Sequence, residues 1–334
     1  MTPAPFTRLS RIAYARLPTP LDEAPRLARA LRLSAFTVKR EDLSGDALGG
    51  NKLRQMDFIL AEAMAQRVNA LVTTAAAQSN FCRALAGACA RLGLQCHLLL
   101  RGEPGQPPGG NLLLGGLFGA TITWTPITDP WDPAVSVALE QIAANLVQSG
   151  QRPYIIQLPA RSAGLAAVGW AEGAAELAAQ WDASGADPAV LAVACGSGLT
   201  AAGLALGLKR LGRATRVLGI SVQQPAPRLL PWMVEAANRA AALAGWETQL
   251  LPGDLDVTDD QVAPGYGKPS PASLAAVRLA GREAGLVLDP VYSGKALAGL
   301  AACIRDGRVP AGASVTLLHS GGAPGLFYHA ASFA

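Results

Sequence analysis

Short apolar runs alternate with amphipathic stretches along almost the whole chain, and this alternation restricts the fold more than any other feature. Runs at 70–74, 94–100, 121–125, 154–158, 190–194, 216–222, 286–288 and 314–319 read as strands. Helical periodicity occupies 80–92, 112–117, 134–148, 165–180, 201–211, 230–244, 271–284 and 295–305. Such β–α alternation predicts an α/β protein with parallel sheets covered by helices on both faces. In these folds ligands bind beyond the carboxyl ends of the strands. The polar and glycine-rich segments at those ends are therefore where chemistry is expected.

A chain of 334 residues suggests two domains, or one large one. Half of its residues are apolar and only 16% are charged, which fits a globular protein with much interior. The apolar residues come in short runs, so no membrane-spanning helix is expected. The first residues lack a charged region followed by a long apolar stretch, so no secretory signal is expected either. The net charge of +4 is scattered, which argues against a nucleic-acid partner. Five cysteines, an odd number without a C-x-x-C pair, indicate buried thiols in a reducing compartment, and the expected location is the cytoplasm. Cys82 and Cys89 share a helix face, where packing is the simpler role. His97, His319 and His329 show no ligand spacing, and no metal is expected.

Chemistry concentrates in a few segments. Lys52 follows Gly49 and Gly50 and opens an amphipathic helix whose apolar positions are Leu53, Met56, Ile59, Leu60 and Met64. A cation at a helix N-terminus is unfavourable, which lowers the amine's pKa and suits a Schiff-base nucleophile; a solvated surface lysine is the plainer alternative. Gln78, Ser79 and Asn80 end a strand and start a helix, where capping and ligand binding use the same geometry. Gly196, Ser197, Gly198, Leu199 and Thr200 form a second strand–turn–helix junction. It fits neither the nucleotide P-loop nor the dinucleotide fingerprint, but converging N–H groups there suit a single phosphate, unless it is only a tight connection. Tyr266 lies in a Gly-rich turn, Tyr292 follows the 286–288 run, and Ser320 precedes two glycines at a strand end. A reactive lysine, a phosphate-sized loop, two tyrosines and strand-end hydroxyls together fit a pyridoxal phosphate site.

The sequence resembles the fold type II pyridoxal-phosphate enzymes, in the branch of D-cysteine desulfhydrase and 1-aminocyclopropane-1-carboxylate deaminase. The carrying segments are Leu-Pro-Thr-Pro-Leu at 17–21, Val-Lys-Arg-Glu-Asp at 38–42 and Gly-Gly-Asn-Lys-Leu-Arg at 49–54. They continue with Gln-Ser-Asn at 78–80, Gly-Ser-Gly-Leu-Thr at 196–200 and Pro-Gly-Tyr-Gly at 264–267. Asp-Pro-Val-Tyr-Ser-Gly-Lys at 289–295 and His-Ser-Gly-Gly-Ala-Pro at 319–324 complete the series, in order over nearly the whole chain.

The resemblance implies two doubly wound domains with mostly parallel sheets, like the tryptophan synthase β subunit. A large cofactor-binding domain would comprise 1–53 and 161–334, with a small domain inserted at 54–160. It implies that Lys52 carries pyridoxal phosphate as a Schiff base and that Asn80 bonds the cofactor's 3-hydroxyl. The 196–200 loop would cradle the phosphate and Ser320 would face the ring nitrogen. Gln78, Ser79, Asn80, Phe81 and Ser293 would contact the substrate, with Ser79 assisting proton transfer and Tyr266 and Tyr292 flanking the amino acid. A homodimer is also implied.

The implied activity is α,β-elimination from a β-substituted amino acid, with D-cysteine, giving pyruvate, sulfide and ammonia, as first candidate. Ser293 stands where the cyclopropane deaminases carry Glu, which favours the desulfhydrase side. Phe81 replaces the family's usual His, and Leu199 a usual Gly. These departures leave the substrate open, including a sulfonate such as cysteate or a bulkier amino acid. Ring-opening deamination, β-replacement, racemisation and a non-catalytic binding role are the alternatives.

Overall fold

The computed structural model describes residues 6–334. The alternation becomes two sheets, each filled by segments whose apolar side chains the helices cover. The chain enters through β1 (Leu21–Glu23), α1 (Pro25–Ala30) and β2 (Ala35–Arg40), then runs into α2 (Lys52–Ala65). Next come β3 (Ala70–Ala76), α3 (Asn80–Leu92), β4 (Gln95–Arg101), α4 (Gly110–Leu117), β5 (Thr121–Thr125), α5 (Pro133–Gln148) and β6 (Pro153–Ile156). The second half holds α6 (Ala163–Ser184), β7 (Val190–Cys195), α7 (Leu199–Arg210), β8 (Arg216–Ser221), α8 (Ala226–Ala244) and β9 (Asp256–Thr258). It closes with α9 (Pro271–Ala284), α10 (Ser293–Arg305), β10 (Ser314–His319) and α11 (Ala323–Tyr328).

The six-stranded sheet has the order β1-β2-β10-β7-β8-β9, and the four-stranded sheet β5-β4-β3-β6. Every pairing is parallel except the short edge pair β1–β2. The chain order reverses beside β7 in one sheet and beside β3 in the other. Crevices form at such reversals, outside the carboxyl ends of the strands. The 196–200 loop follows β7, and Gln78, Ser79 and Asn80 follow β3.

Helix α6 ties the layers together. It is small-residue-rich, so neighbouring backbones come close: a Cβ at Gly169 would lie 2.3 Å from the Arg54 carbonyl oxygen of α2. A Cβ at Gly203 of α7 would lie 2.2 Å from the Ala167 carbonyl oxygen of α6. Between α2, α6 and β2 lies a buried ionic network. Arg54 Nη2 lies 2.8 Å from Glu41 Oε1 and 2.7 Å from Glu176 Oε1. Lys39 bonds Glu176, the Thr19 carbonyl and Gln180. Two cations face two carboxylates, so no charge there is left uncompensated.

Some sequence expectations need correction. Residues 286–288 pair with no strand among those described. Leu286 and Leu288 are buried against α9 and α10 while Val287 is exposed, so the run's alternation reflects core packing rather than a ladder. The 154–158 strand stops at Ile156. Helix α8 begins at Ala226 rather than at 230, with Pro231 inside it. Three strands lie outside the sequence runs: the three-residue edge strands β1 and β9, and the six-residue β2, which lies inside the sheet between β1 and β10. All five cysteines are buried and free. Among the described residues, no helix is long and apolar enough to cross a membrane.

Candidate active site

Lys52 is the first residue of α2, and the turn before it depends on two glycines. Gly49 (φ +56°) and Gly50 (φ +106°) occupy backbone space open chiefly to glycine. A Cβ at Gly49 would lie 2.3 Å from the Asp42 carbonyl oxygen. Asn51 then pins the helix start. Its backbone N–H donates to the Ser320 carbonyl (3.1 Å), and its Nδ2 donates to Thr200 Oγ1 (2.9 Å). Its own carbonyl accepts from Trp170 Nε1 (3.2 Å). The lysine backbone is thereby held between β10, α7 and α6.

The Lys52 side chain faces a cleft shared with Ser79, Phe81, Gly196, Ser197, Tyr266 and Tyr292. Burial lowers its pKa to about 8, and the nearby Cys195 opposes that shift. A cation is disfavoured there, so a neutral nucleophilic amine is accessible near neutral pH. Burial pushes the Cys195 thiol up to about 12, so it is no competing nucleophile.

Ser79 is the N-cap of α3: its Oγ accepts from the N–H groups of Phe81 and Cys82, each at 3.2 Å. The hydroxyl proton stays available to donate into the cleft, so the capping and binding roles coexist. Asn80 and Gln78 line an adjoining pocket beyond the tyrosines. Asn80 Oδ1 accepts from Asn111 Nδ2 (2.9 Å), which turns the Asn80 amide N–H groups outward as donors. Gln78 is engaged with Gly109 and Asn111, so it shapes the pocket wall. Tyr266 and Tyr292 line both pockets and are hydrogen-bonded to each other through their hydroxyls, with ring planes 80° apart. Burial raises both phenol pKa values, so the pair stays neutral and retains a proton to donate.

The junction after β7 has the form of a phosphate cradle. Gly198 adopts φ +76°, where a Cβ would also strike Met233 Cγ at 2.4 Å. The Ser197 carbonyl accepts from Trp232 Nε1 (3.1 Å), which turns the loop so that α7 begins at its edge. N–H groups at that helix start attract a phosphate. The Leu199 side chain is buried in the core, so only its main chain belongs to this loop. Thr200 is also buried, with its hydroxyl bonded to Asn51.

Two expectations fare differently. Ser293 does not reach the cleft: it is fully buried, and its Oγ is taken up by Asp289 Oδ1 (2.7 Å) and the Asp289 N–H (2.8 Å). Its small hydroxyl completes the turn that carries Tyr292. Ser320 is nearly buried at the end of β10, and its carbonyl serves Asn51. The cleft also holds residues that the sequence did not single out: Arg101, Trp131 and Gln223. Arg101 ends β4 and Gln223 follows β8, positions that could have suggested them, whereas Trp131 sits in the loop before α5.

The pyridoxal-phosphate dependent enzyme family model matches residues 12–321. The chain belongs to that family. A crystal structure of an ACC deaminase homologue superposes with a TM-score of 0.88 at 29% identity, over 98% of this chain and 96% of that one. A threonine deaminase of T.th. matches at TM-score 0.64 and 23% identity, over 91% and 92%. Diaminopropionate ammonia lyase of Escherichia coli matches at 0.67 and 17%, over 95% and 86%. The protein is thus a fold type II pyridoxal-phosphate enzyme resembling the ACC deaminase and D-cysteine desulfhydrase branch, and its cofactor is pyridoxal phosphate. Its residues fit that group: the Lys52 amine is unpaired among the described residues and lines one cleft with Gly196 and Ser197 of the glycine loop.

Proposed function

We propose that this enzyme is a lyase that eliminates a substituent from Cβ of a small amino acid, with D-cysteine as the first substrate to test. The observation that carries the reading is one cleft holding a partly desolvated Lys52 amine, the Ser79 hydroxyl and the neutral Tyr266–Tyr292 pair. The superposed ACC deaminase homologue supports it. Lys52 would hold the cofactor, with its phosphate on the loop at Gly196, Ser197, Gly198, Leu199 and Thr200, Asn80 at the 3-hydroxyl and Ser320 at the ring nitrogen. When bound, pyridoxal phosphate supplies an electron sink for the pair left at Cα. Lys52 Nζ would accept the Cα proton. The Ser79 Oγ–H would hold the substrate carboxylate. Phe81 walls that subsite and excludes water. The tyrosine pair delivers its proton to the departing group. The Cβ bond breaks with its electron pair on that group, and hydrolysis leaves pyruvate and ammonia.

The test is pyruvate and sulfide release by the cofactor-loaded protein from D- and L-cysteine and from β-chloro-D- and β-chloro-L-alanine, with 1-aminocyclopropane-1-carboxylate as the ring-opening control. Pyruvate from at least one β-substituted amino acid is expected. Lys52→Ala should abolish it, together with the absorbance of lysine-linked cofactor. Formation of 2-oxobutyrate from the cyclopropane alone, or full activity of Lys52→Ala, would overturn the reading. We also propose that the protein works in the cytoplasm as a homodimer, which the exposed Leu113 and Leu117 of α4 support. Sedimentation at the 34.3 kDa mass of one chain would remove the dimer.

A further inference from the structure

Arg101 is the last residue of β4 and projects where the four-stranded sheet opens into the cleft. It shares that cleft with Lys52 and both tyrosines, and it also lines the adjoining mouth with Gln223, Asp129 and Arg228. The other arginine of the mouth is neutralised: Arg228 Nη2 lies 3.1 Å from Asp129 Oδ2, and its guanidinium stacks over Trp131 at 4.8 Å. Among the described residues no carboxylate lies within ion-pair distance of Arg101 and no hydrogen bond holds its guanidinium; the carboxylate whose ionisation it favours, Asp129, is bound to Arg228. Its charge reaches the reacting groups. Burial raises the phenol pKa values of Tyr266 and Tyr292, and Arg101 works against that rise in both.

A guanidinium without an ion-pair partner of its own at the wall of the cleft is a fork of donors able to receive an oxyanion. A thiol or a halogen on Cβ would leave it unsatisfied. We propose that Arg101 is the specificity residue for the leaving group, and that the preferred substrate bears an anionic oxyacid group on Cβ, a sulfonate or a phosphate ester. This rests on the elimination reading above and narrows it. In the step concerned, Lys52 Nζ accepts the Cα proton and the Cα–Cβ double bond forms. The Cβ–S bond of a sulfonate, or the Cβ–O bond of a phosphate ester, breaks with its electron pair on the departing oxyanion. Sulfite or inorganic phosphate then leaves along Arg101, and water completes pyruvate and ammonia.

The experiment compares kcat/KM of the holoenzyme on cysteate, O-phosphoserine and β-chloroalanine, each as both enantiomers, for the native protein, Arg101→Lys and Arg101→Met. Cofactor absorbance and circular dichroism check that the variants are folded and loaded. At least one anionic substrate should be preferred over β-chloroalanine by the native protein. In Arg101→Met that substrate should lose about 10–100-fold more than β-chloroalanine does, with part recovered in Arg101→Lys. Titration calorimetry adds a readout without turnover: inorganic sulfate should bind the native holoenzyme in competition with substrate and bind Arg101→Met at least tenfold more weakly. Which of sulfite and phosphate is released distinguishes the two oxyacids. Equal losses on all three substrates would place Arg101 at the α-carboxylate and overturn the proposal. So would a native preference for β-chloroalanine or unchanged sulfate binding. If β-chloroalanine gives no pyruvate either, the elimination reading itself falls.

Discussion

Lys52 shows how one residue's chemistry is set by its surroundings. Burial depresses its pKa to about 8, so cofactor capture by this amine, as proposed, would depend on pH in a definite direction. The free amine is the reactive form, so it amounts to about one tenth of the population at pH 7 and nine tenths at pH 9. Cofactor capture by the apoprotein should accelerate several-fold between those values and level off above pH 9, followed by stopped-flow absorbance. A rate still climbing tenfold per unit past pH 9 would indicate an ordinary exposed lysine. The linkage sign agrees: between about pH 8 and the unfolded value the unfolded chain binds more protons, so apoprotein stability rises with pH across that window. Phe81 and Leu199 both depart from the family pattern, yet they differ at this scale. Both pack in the same core cluster, but Phe81 also lines the cleft and Leu199 does not. Only Phe81 is placed to alter the substrate.

Among the elements, α6 and α7 depend on close backbone approach. Gly203→Ala would put a methyl 2.2 Å from the Ala167 carbonyl oxygen and 2.6 Å from Trp170 Cβ. Backbone cannot yield there as a flexible side chain would, so a loss of roughly 1–3 kcal/mol is expected in urea unfolding. Gly116→Ala in α4 meets nothing within 4 Å and should instead be neutral or stabilising by up to about 1 kcal/mol. Equal effects of the two substitutions would refute the packing account. Much at this scale was readable beforehand. The interior strands β3, β4, β7, β8 and β10 have apolar runs bounded by turn residues, and α3 carries Ser79 as its cap. The run 286–288 was misread because a buried extended segment and a ladder strand share the same local pattern.

For the whole molecule, the ionic network of Lys39, Glu41, Arg54 and Glu176 joins chain segments more than a hundred residues apart. Glu41→Ala would leave Arg54 short of a buried carboxylate and orphan the Thr19 hydroxyl bonded to it at 2.6 Å. The expected loss is about 3–5 kcal/mol in thermal or denaturant unfolding, well above that of breaking the exposed Arg305–Asp306 pair. A loss below about 1 kcal/mol would mean the network relaxes and rehydrates. The sequence by itself determined the α/β class and marked Lys52, after its two glycines, as a candidate, because periodicity, turn chemistry and local motifs are written within a few residues. It also placed Ser79, Asn80, the 196–200 loop and the two tyrosines as candidates. Only the tertiary structure decided which of them meet. It turned Ser293 onto Asp289, pinned Asn51 to Thr200 across the fold and left Arg101 without a partner at the cleft. Whether a hydroxyl or guanidinium is already satisfied depends on neighbours contributed by distant segments, and no local pattern records them.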